Sequence, residues 1–238
     1  MKKVGLLTVV ALLVLALGSV SWAYTITDSP NDAIGTTLYE SYGIDVINFT
    51  PGVYTGNIGF SLFTNFPQGG EIVNGSPPWT TAPADVFITE TYYGTPYKWA
   101  VPLVTHDGFT AGTMYAVGTY KVSDDFDPSH GSGYIYNHNF PVQIATRGNN
   151  YGFTEFAGTI AWNSLAPGNH PDFRVDVSLG IWEDDPNGSF AFSWGTATCA
   201  NDIVESSGPS TSVPEPNVLS LLGMGLLGLA YVSRRKQK

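Results

Sequence analysis

Asp125, Asp127 and Ser129 alternate along one short segment of this sequence. Alternating oxygen ligands let a loop wrap around a hard cation such as Ca²⁺. The pattern is not that of an EF-hand, because Gly131 lies one place late and Tyr136 stands where the bidentate acid is needed. The segment is therefore either a calcium site or a solvated acidic loop.

A second cluster of oxygen ligands consists of Asp184, Asp185 and Asn187. The sequence Pro-Asn-Gly at residues 186–188 favours a tight turn, so we interpret the segment first as a hairpin turn. Adjacent carboxylates repel each other, and a bound cation would relieve that repulsion. Exposed turns also tolerate such runs at small cost, so calcium and a solvated turn both remain open here.

Catalytic patterns are weak in this sequence. The four histidines lie among loop-forming residues and lack the spacing of a zinc site. There is no G-x-S-x-G nucleophile motif. Glu155 and Glu183 could form the carboxylate pair of a glycosidase, but 20 acidic residues offer too many such pairs to choose among. We therefore expect no enzyme, with a glycoside-cleaving enzyme as the second alternative.

Aromatic residues crowd into the region of residues 79–99, where Trp79, Tyr93 and Trp99 are candidates for a sugar-binding surface. Aromatic faces stack on sugar rings as readily as they fill protein cores. A glycan-binding module, dependent either on calcium or on this aromatic platform, is therefore the first alternative. The competing interpretation is that these rings pack in the core.

The distribution of charge argues against an anionic partner. Between Asp28 and Glu215 the chain has 20 acidic residues and four basic ones, a formal charge of about −16. No basic patch is available to bind nucleic acid or an anionic membrane surface. The single cysteine, Cys199, excludes an intramolecular disulfide, and we expect it to lie buried within a strand over residues 196–200.

The elements that must position these residues are β-strands. Apolar residues at 173, 175, 177 and 179 alternate with polar ones, which is typical of a strand with one buried face. Glycine, proline, asparagine and aspartate clusters separate further short runs of this kind. These runs cover residues 43–49, 58–63, 85–91, 97–104, 114–122, 134–136, 142–146, 153–162 and 190–194. The pattern predicts an all-β fold, a single jelly-roll-like β-sandwich over residues 24–208, with a barrel as the alternative.

The N-terminus has the features of a secretory signal peptide. Two lysines precede an apolar run from Val4 to Val20, and small residues flank a cleavage position between Ala23 and Tyr24. We predict a signal peptide over residues 1–23, removed by signal peptidase. A retained N-terminal anchor is the alternative.

The C-terminus combines three features in a fixed order. Pro214, Glu215 and Pro216 precede an apolar run of 15 residues at 218–232, and the basic residues Arg234, Arg235 and Lys236 follow. As a helix this run spans about 22 Å, short of the ~30 Å hydrocarbon core. The basic residues should hold the end of the chain in the cytoplasm. Residues 209–213 are then a linker, and 214–238 a marginal anchor.

This tail resembles the PEP-CTERM sorting signal of Gram-negative bacteria that make extracellular polysaccharide. The resemblance implies export, temporary retention in the inner membrane, and processing near residues 214–216 by the membrane peptidase exosortase. Residues 199–205, Cys-Ala-Asn-Asp-Ile-Val-Glu, also look like the segment that often closes the β ectodomain of PEP-CTERM proteins. A glycine commonly follows the acidic residue there, whereas this chain has Ser206.

Together these features predict an exported, non-enzymatic protein of the cell surface or extracellular matrix. Its processing partners would be signal peptidase and exosortase, and extracellular polysaccharide is the expected partner if it binds glycans. Calcium is the one cofactor that the sequence suggests, and nucleic acid is not expected as a partner.

Overall fold

The computed structural model describes residues 23–28, 32–33, 37–47, 57–73, 79–92, 94–126, 137–166, 171–181 and 189–206. Residues 23–211 form one structural unit. The predicted signal peptide, except its last residue, and the predicted C-terminal helix lie outside the described residues, and both stay predictions. Within the described ranges, no helix has the length and apolar character needed to span a membrane.

Strands dominate the described part of the chain, with two short 3-10 helices at Thr37–Tyr39 and Ser123–Phe126. In chain order the strands are β1 (Ala23–Thr27), β2 (Ser41–Ile47), β3 (Asn57–Thr64), β4 (Glu71–Val73), β5 (Trp79–Thr81), β6 (Val86–Tyr92), β7 (Thr95–Val101), β8 (Met114–Val122), β9 (Pro141–Arg147), β10 (Glu155–Phe156), β11 (Gly158–Ser164), β12 (Phe173–Ile181), β13 (Ser189–Gly195) and β14 (Ile203–Glu205). The predicted all-β fold is confirmed.

Five strands form the first sheet, which is antiparallel and has the order β1-β2-β3-β12-β11. Its register places Val46, Phe60 and Val177 side by side, and all three are buried. The next line of the register is polar and places Asp45, Ser61 and Asp176 side by side. Since successive residues of a strand point to opposite faces, one face of this sheet is apolar and the other polar.

Seven strands form the second sheet, with the order β10-β8-β7-β6-β13-β14 and with β9 also paired to β8. Its pairs are antiparallel as well, and β4 and β5 form a separate two-stranded sheet. The inner face of the second sheet carries Ile88, Trp99 and Trp194, which are at most 1% exposed.

The core lies between the two large sheets and draws side chains from both. Its first-sheet members include Ile44, Val46, Phe60, Leu62, Val175, Val177 and Leu179, and its second-sheet members include Val86, Ile88, Trp99, Val101, Met114, Phe192 and Trp194. Phe60 and Phe192 meet across the two layers with ring centroids 5.7 Å apart. Two sheets that bury one apolar face each against the other are a β-sandwich.

The long-range strand pairs of the two sheets are interlaced. β3 pairs with β12 in the first sheet, and β6 pairs with β13 in the second. The chain therefore crosses between the two large sheets three times, after β3, after β10 and after β12. A jelly roll is a rolled-up hairpin, in which the earliest strand pairs with the latest. The predicted jelly-roll likeness therefore holds for the two-sheet architecture and not for the strand order.

Several local predictions from the sequence need correction. The sequence predicts a hairpin turn at residues 183–188, but β12 and β13 lie in different sheets and do not pair. Both strands carry large inward side chains, Leu179 and Phe192 among them, and crossing between the sheets buries both sets. The predicted strand at 134–136 lies outside the described residues.

The predicted strand at residues 153–162 is two strands in different sheets. β10 pairs with β8, whereas β11 pairs with β12. The chain changes sheets at Gly158, where a Cβ atom would lie 2.4 Å from the carbonyl oxygen of Gly112. Only glycine fits this close backbone approach. The alternation of apolar and polar side chains does not indicate that the chain changes sheets here.

Residues 196–200, expected as a strand, form bends and a turn after β13. Ala200 has a φ of 48°, and its N–H donates to the carbonyl oxygen of Ala197. The thiol-bearing residue is nevertheless buried as expected, since Cys199 is 1% exposed.

Candidate functional site

The first predicted calcium loop begins in the 3-10 helix Ser123–Phe126. There the Asp125 carboxylate accepts a hydrogen bond from the backbone N–H of Val122 at 2.9 Å. The neighbouring Asp124 lies 2.5 Å from Nδ1 of His138 and accepts the N–H of Asn139. The hydrogen bond with His138 lowers the pKa of Asp124. These oxygens are engaged by hydrogen bonds within the protein, while Asp127 and Ser129 lie outside the described residues, so calcium binding here stays a prediction.

The second predicted calcium cluster, Asp184, Asp185 and Asn187, lies wholly outside the described residues. The same holds for Glu183, one half of the predicted glycosidase pair. The other half, Glu155, is ion-paired with Arg147 at 3.1 Å on the protein surface. The structure therefore does not test either the second calcium cluster or the carboxylate pair.

One predicted sugar-binding residue is in the core. Trp99 has no solvent exposure, and its Nε1–H donates to the Glu90 carboxylate at 3.0 Å. Its ring cannot stack on a ligand, so the sugar-binding prediction is wrong for Trp99, and the competing interpretation of core packing is confirmed for this residue. Trp79 begins β5, but its side chain is outside the described part of the structure, as is all of Tyr93.

Three carboxylates that the sequence did not single out converge near the ends of β1 and β14. Oxygens of Asp28, Asp32 and Asp202 lie within 4.8 Å of one another. The backbone N–H of Ser41 donates to Asp202 at 2.6 Å, and the Ser41 hydroxyl donates to Asp28. Asp202 and Ser41 are 161 positions apart in the chain, and folding alone brings them together.

Burial dominates the electrostatics of this acidic cluster. The pKa of Asp202 is raised to about 7, mainly by burial and to a smaller extent by the charges of Asp28 and Asp32, while the hydrogen bonds from Ser41 partly offset the increase. The cluster therefore takes up a proton near neutral pH. Its all-oxygen donor set suits a hard cation such as Ca²⁺. Carboxylates also gather in this way without an ion, so the cluster alone does not assign a metal.

The segment at residues 199–205 serves the fold in two ways. Asp202 ties it to β2, and Cys199 packs with Tyr39, Phe66 and Ala197 in a small apolar cluster. Burial raises the pKa of the Cys199 thiol to about 12. A thiol that stays protonated is a poor nucleophile and a poor metal ligand. The sequence singled out this segment but gave it no role, because the partners of Asp202 are remote in sequence.

A shallow groove crosses the polar outer face of the first sheet. It has a volume of about 520 Å³ and is lined in part by Gly59, Ser61, Thr159, Ala161, Arg174 and Asp176. The Asp176 carboxylate accepts hydrogen bonds from Ser61 Oγ at 2.5 Å, Asn163 Nδ2 at 2.9 Å and Arg174 Nε at 2.7 Å. Because Arg174 neutralises Asp176, the groove is polar without a free catalytic acid.

Comparison with known families gives a match at the C-terminal end of the chain. Residues 212–236 match the PEP-CTERM protein-sorting motif. The chain thus carries a PEP-CTERM sorting domain, as its Pro-Glu-Pro triplet, apolar run and basic end suggested. The motif implies an exported protein that exosortase sorts and processes, with a cell-surface or extracellular destination.

No curated protein and no solved structure matches this chain. The PEP-CTERM motif covers 25 residues, so it gives the route of the protein and leaves the role of the β-sandwich to be argued from its geometry.

Proposed function

We propose that this protein is a non-enzymatic component of the cell surface or extracellular matrix. The observation that carries the proposal is the PEP-CTERM motif at residues 212–236. It follows a β-rich unit that spans residues 23–211, an arrangement suited to a folded domain delivered by its tail.

The route we propose has three steps. Signal peptidase cleaves between Ala23 and Tyr24, the apolar run at 218–232 holds the chain in the inner membrane, and exosortase then cuts near Pro214 to Pro216. Arg234, Arg235 and Lys236 keep the end of the tail in the cytoplasm during retention. Cleavage would release the β-sandwich toward the surface or matrix.

A non-catalytic role is supported by what the described reactive groups do. The Cys199 thiol is buried in a small apolar cluster, and the Asp85 carboxylate holds His106 within the fold. Glu155 is paired with Arg147, and Asp176 with Arg174. Each of these groups is engaged in holding the fold together, which leaves it less available for chemistry.

Cell fractionation tests the proposal. A chain lacking residues 214–238 should lose its sorting and pass into the medium without membrane retention, since the signal peptide alone directs export. A chain with Arg174→Lys serves as a control that leaves the tail unchanged. Identical distributions of the full and truncated chains among membrane, surface and medium would refute exosortase-dependent delivery.

Binding of extracellular polysaccharide is the second candidate function. It is favoured by the partly exposed aromatic residues Tyr151 and Phe153. A calcium requirement would add the acidic loops, but the aromatic rings do not need a cation to bind a sugar.

A further inference from the structure

A tight hairpin turn at residues 150–153 carries two exposed aromatic side chains. The backbones of Asn150 and Phe153 donate to each other at 2.9 and 2.8 Å. Between them Tyr151 has a φ of 51° and Gly152 a φ of 89°. Positive φ at both central residues is the signature of a type I′ turn, which usually contains asparagine and glycine. A tyrosine is costly at this position, so an interaction of its side chain must compensate for the backbone strain.

The Tyr151 side chain supplies that interaction. Its hydroxyl donates at 2.8 Å to Glu90, a buried carboxylate on β6 that also accepts Nε1–H of Trp99. The Asn150 amide donates to the carbonyl oxygen of Lys98 at 2.8 Å. The turn is thereby fixed to β6 and β7, and its rings are held in place before any ligand arrives.

Four rings form what we call the aromatic surface: Tyr97, Tyr151, Phe153 and Phe156. The ring centroids of Tyr97 and Tyr151 are 3.9 Å apart, and those of Phe153 and Phe156 are 5.1 Å apart and stacked. Trp99 lies beneath, within 6.3 Å of Tyr151 and 5.4 Å of Phe156. Phe153 is 52% exposed and Tyr151 37% exposed, so both residues are partly open to solvent.

The size of the exposed area limits what can bind here. Aromatic side chains present roughly 150–250 Å² each, so the exposed fractions of Phe153 and Tyr151 amount to on the order of 200 Å². A stable protein interface needs roughly 800 Å² from each partner. The exposed rings are therefore far too small to form a stable interface with a second copy or another protein by themselves. They match a ligand of about one or two sugar rings.

The net charge of the protein further restricts the class of ligand that can bind. The region between Asp28 and Glu215 carries about −16, which repels polyanions and like-charged copies of the chain. Beside the exposed rings, Asn149, Thr154 and the ion pair of Arg147 with Glu155 offer hydrogen-bond donors and acceptors with no net charge. An apolar ring face edged by such groups fits a sugar ring, whose faces carry C–H groups and whose rim carries hydroxyls.

We propose that the aromatic surface binds a neutral polysaccharide, with sugar rings stacked on Phe153 and Tyr151. This inference names a binding partner for the proposed surface or matrix protein. It rests on the proposed function, because export is what brings the protein to an extracellular polysaccharide. Trp99, which the sequence suggested as a contact residue, acts instead as a support beneath Tyr151.

Affinity electrophoresis in native gels tests the proposal with the full chain in a zwitterionic, sugar-free detergent. The gels contain hydroxyethyl cellulose, dextran or galactomannan as neutral polymers, and alginate as the anionic one. We expect retardation by at least one neutral polymer and none by alginate. Phe153→Ala should weaken the retardation roughly threefold to tenfold, the scale of one lost aromatic contact.

Two variants and one measurement control the experiment. Phe153→Trp keeps a stacking ring and should retain binding, and Ile72→Ala removes a side chain that is 65% exposed on β4 and should change nothing. Circular dichroism shows whether each variant is folded.

Absence of retardation by all three neutral polymers would overturn the proposal. So would stronger retardation by alginate, equal retardation of Phe153→Ala and the parent, or a dimer that Phe153→Ala dissociates. None of these results depends on cell sorting, so the proposed delivery route would stand or fall separately.

Discussion

Nε2 of His106 lies 2.9 Å from Oδ1 of Asp85, a carboxylate with no solvent exposure. The second oxygen of Asp85 accepts the backbone N–H of Ile144 at 2.8 Å. Asp85 precedes β6, Ile144 lies on β9, and His106 lies in the loop between β7 and β8. One buried carboxylate thus joins three segments of the second sheet, beside the cluster that contains Phe109 and Tyr115.

Replacing Asp85 by alanine should destabilise the fold strongly. The change leaves the N–H of Ile144 and the His106 ring without their acceptor, and breaking a buried pair costs about 3–5 kcal/mol. Urea unfolding measures the loss. Glu155→Ala is the control, because its pair with Arg147 is largely exposed and should contribute under about 1 kcal/mol. Equal losses in the two variants would contradict a structural role for Asp85.

Stability should fall as the pH rises from about 4 to about 7, in part because of Asp202. Its pKa is raised to about 7, so the folded state holds a proton that the unfolded chain has released. The stabilisation is complete below the unfolded pKa, near 4, and is lost as the pH passes the folded value. Asp202→Asn should reduce the difference in unfolding free energy between pH 5 and pH 8, whereas Ile72→Ala, which changes no titratable group, should not. An unchanged pH difference in Asp202→Asn would exclude Asp202 as its source.

The Cys199 thiol should resist alkylation in the folded protein. It is 1% exposed with a pKa of about 12, so almost no thiolate exists at pH 8. We expect iodoacetamide to label it only after unfolding in urea, with mass spectrometry as the measurement. A second sample unfolded before labelling confirms that the reagent is active. Rapid and complete labelling of the native protein would contradict the buried position.

Gly158→Ala should destabilise the fold by about 1–3 kcal/mol, the usual cost of forcing an atom into a filled space. The new Cβ would lie 2.4 Å from the Gly112 carbonyl oxygen and 2.8 Å from that of Ser178. Gly69→Ala is a matched control, because a Cβ there meets nothing within 4 Å. Thermal melts of the two variants compare them directly. Equal melting temperatures would mean that the chain does not change sheets through a close contact at Gly158.

The sequence predicts strands better than it predicts their partners. The alternation at residues 173–179 identified β12, because a strand with one buried face has a period of two. Nothing local indicated that β12 pairs with β3, or that residues 153–162 divide between two sheets. The pairing of strands depends on how the apolar faces of the two sheets pack together. That packing brings together residues more than a hundred positions apart in the sequence.

Candidate site residues also differ in whether the sequence could predict them. The C-terminal motif could be identified from sequence because its parts are contiguous and ordered. The acidic cluster could not, since Asp202 reaches Asp28 and Asp32 only in the folded chain. Trp99 was misassigned because the composition of an aromatic-rich strand does not show which rings point inward. The sequence did not predict Tyr151 and Phe153 as binding residues, although Asn-Tyr-Gly-Phe contains the glycine of a tight turn.

The most direct test of the account is mass spectrometry of the mature protein recovered from the cell surface or medium. Processing by signal peptidase and exosortase predicts a chain that begins at Tyr24 and ends between Pro214 and Pro216. A strain without exosortase should retain a chain that begins at Tyr24 and still ends at Lys238. Recovery of mostly unprocessed protein, with Lys238 intact in the presence of exosortase, would contradict the central claim.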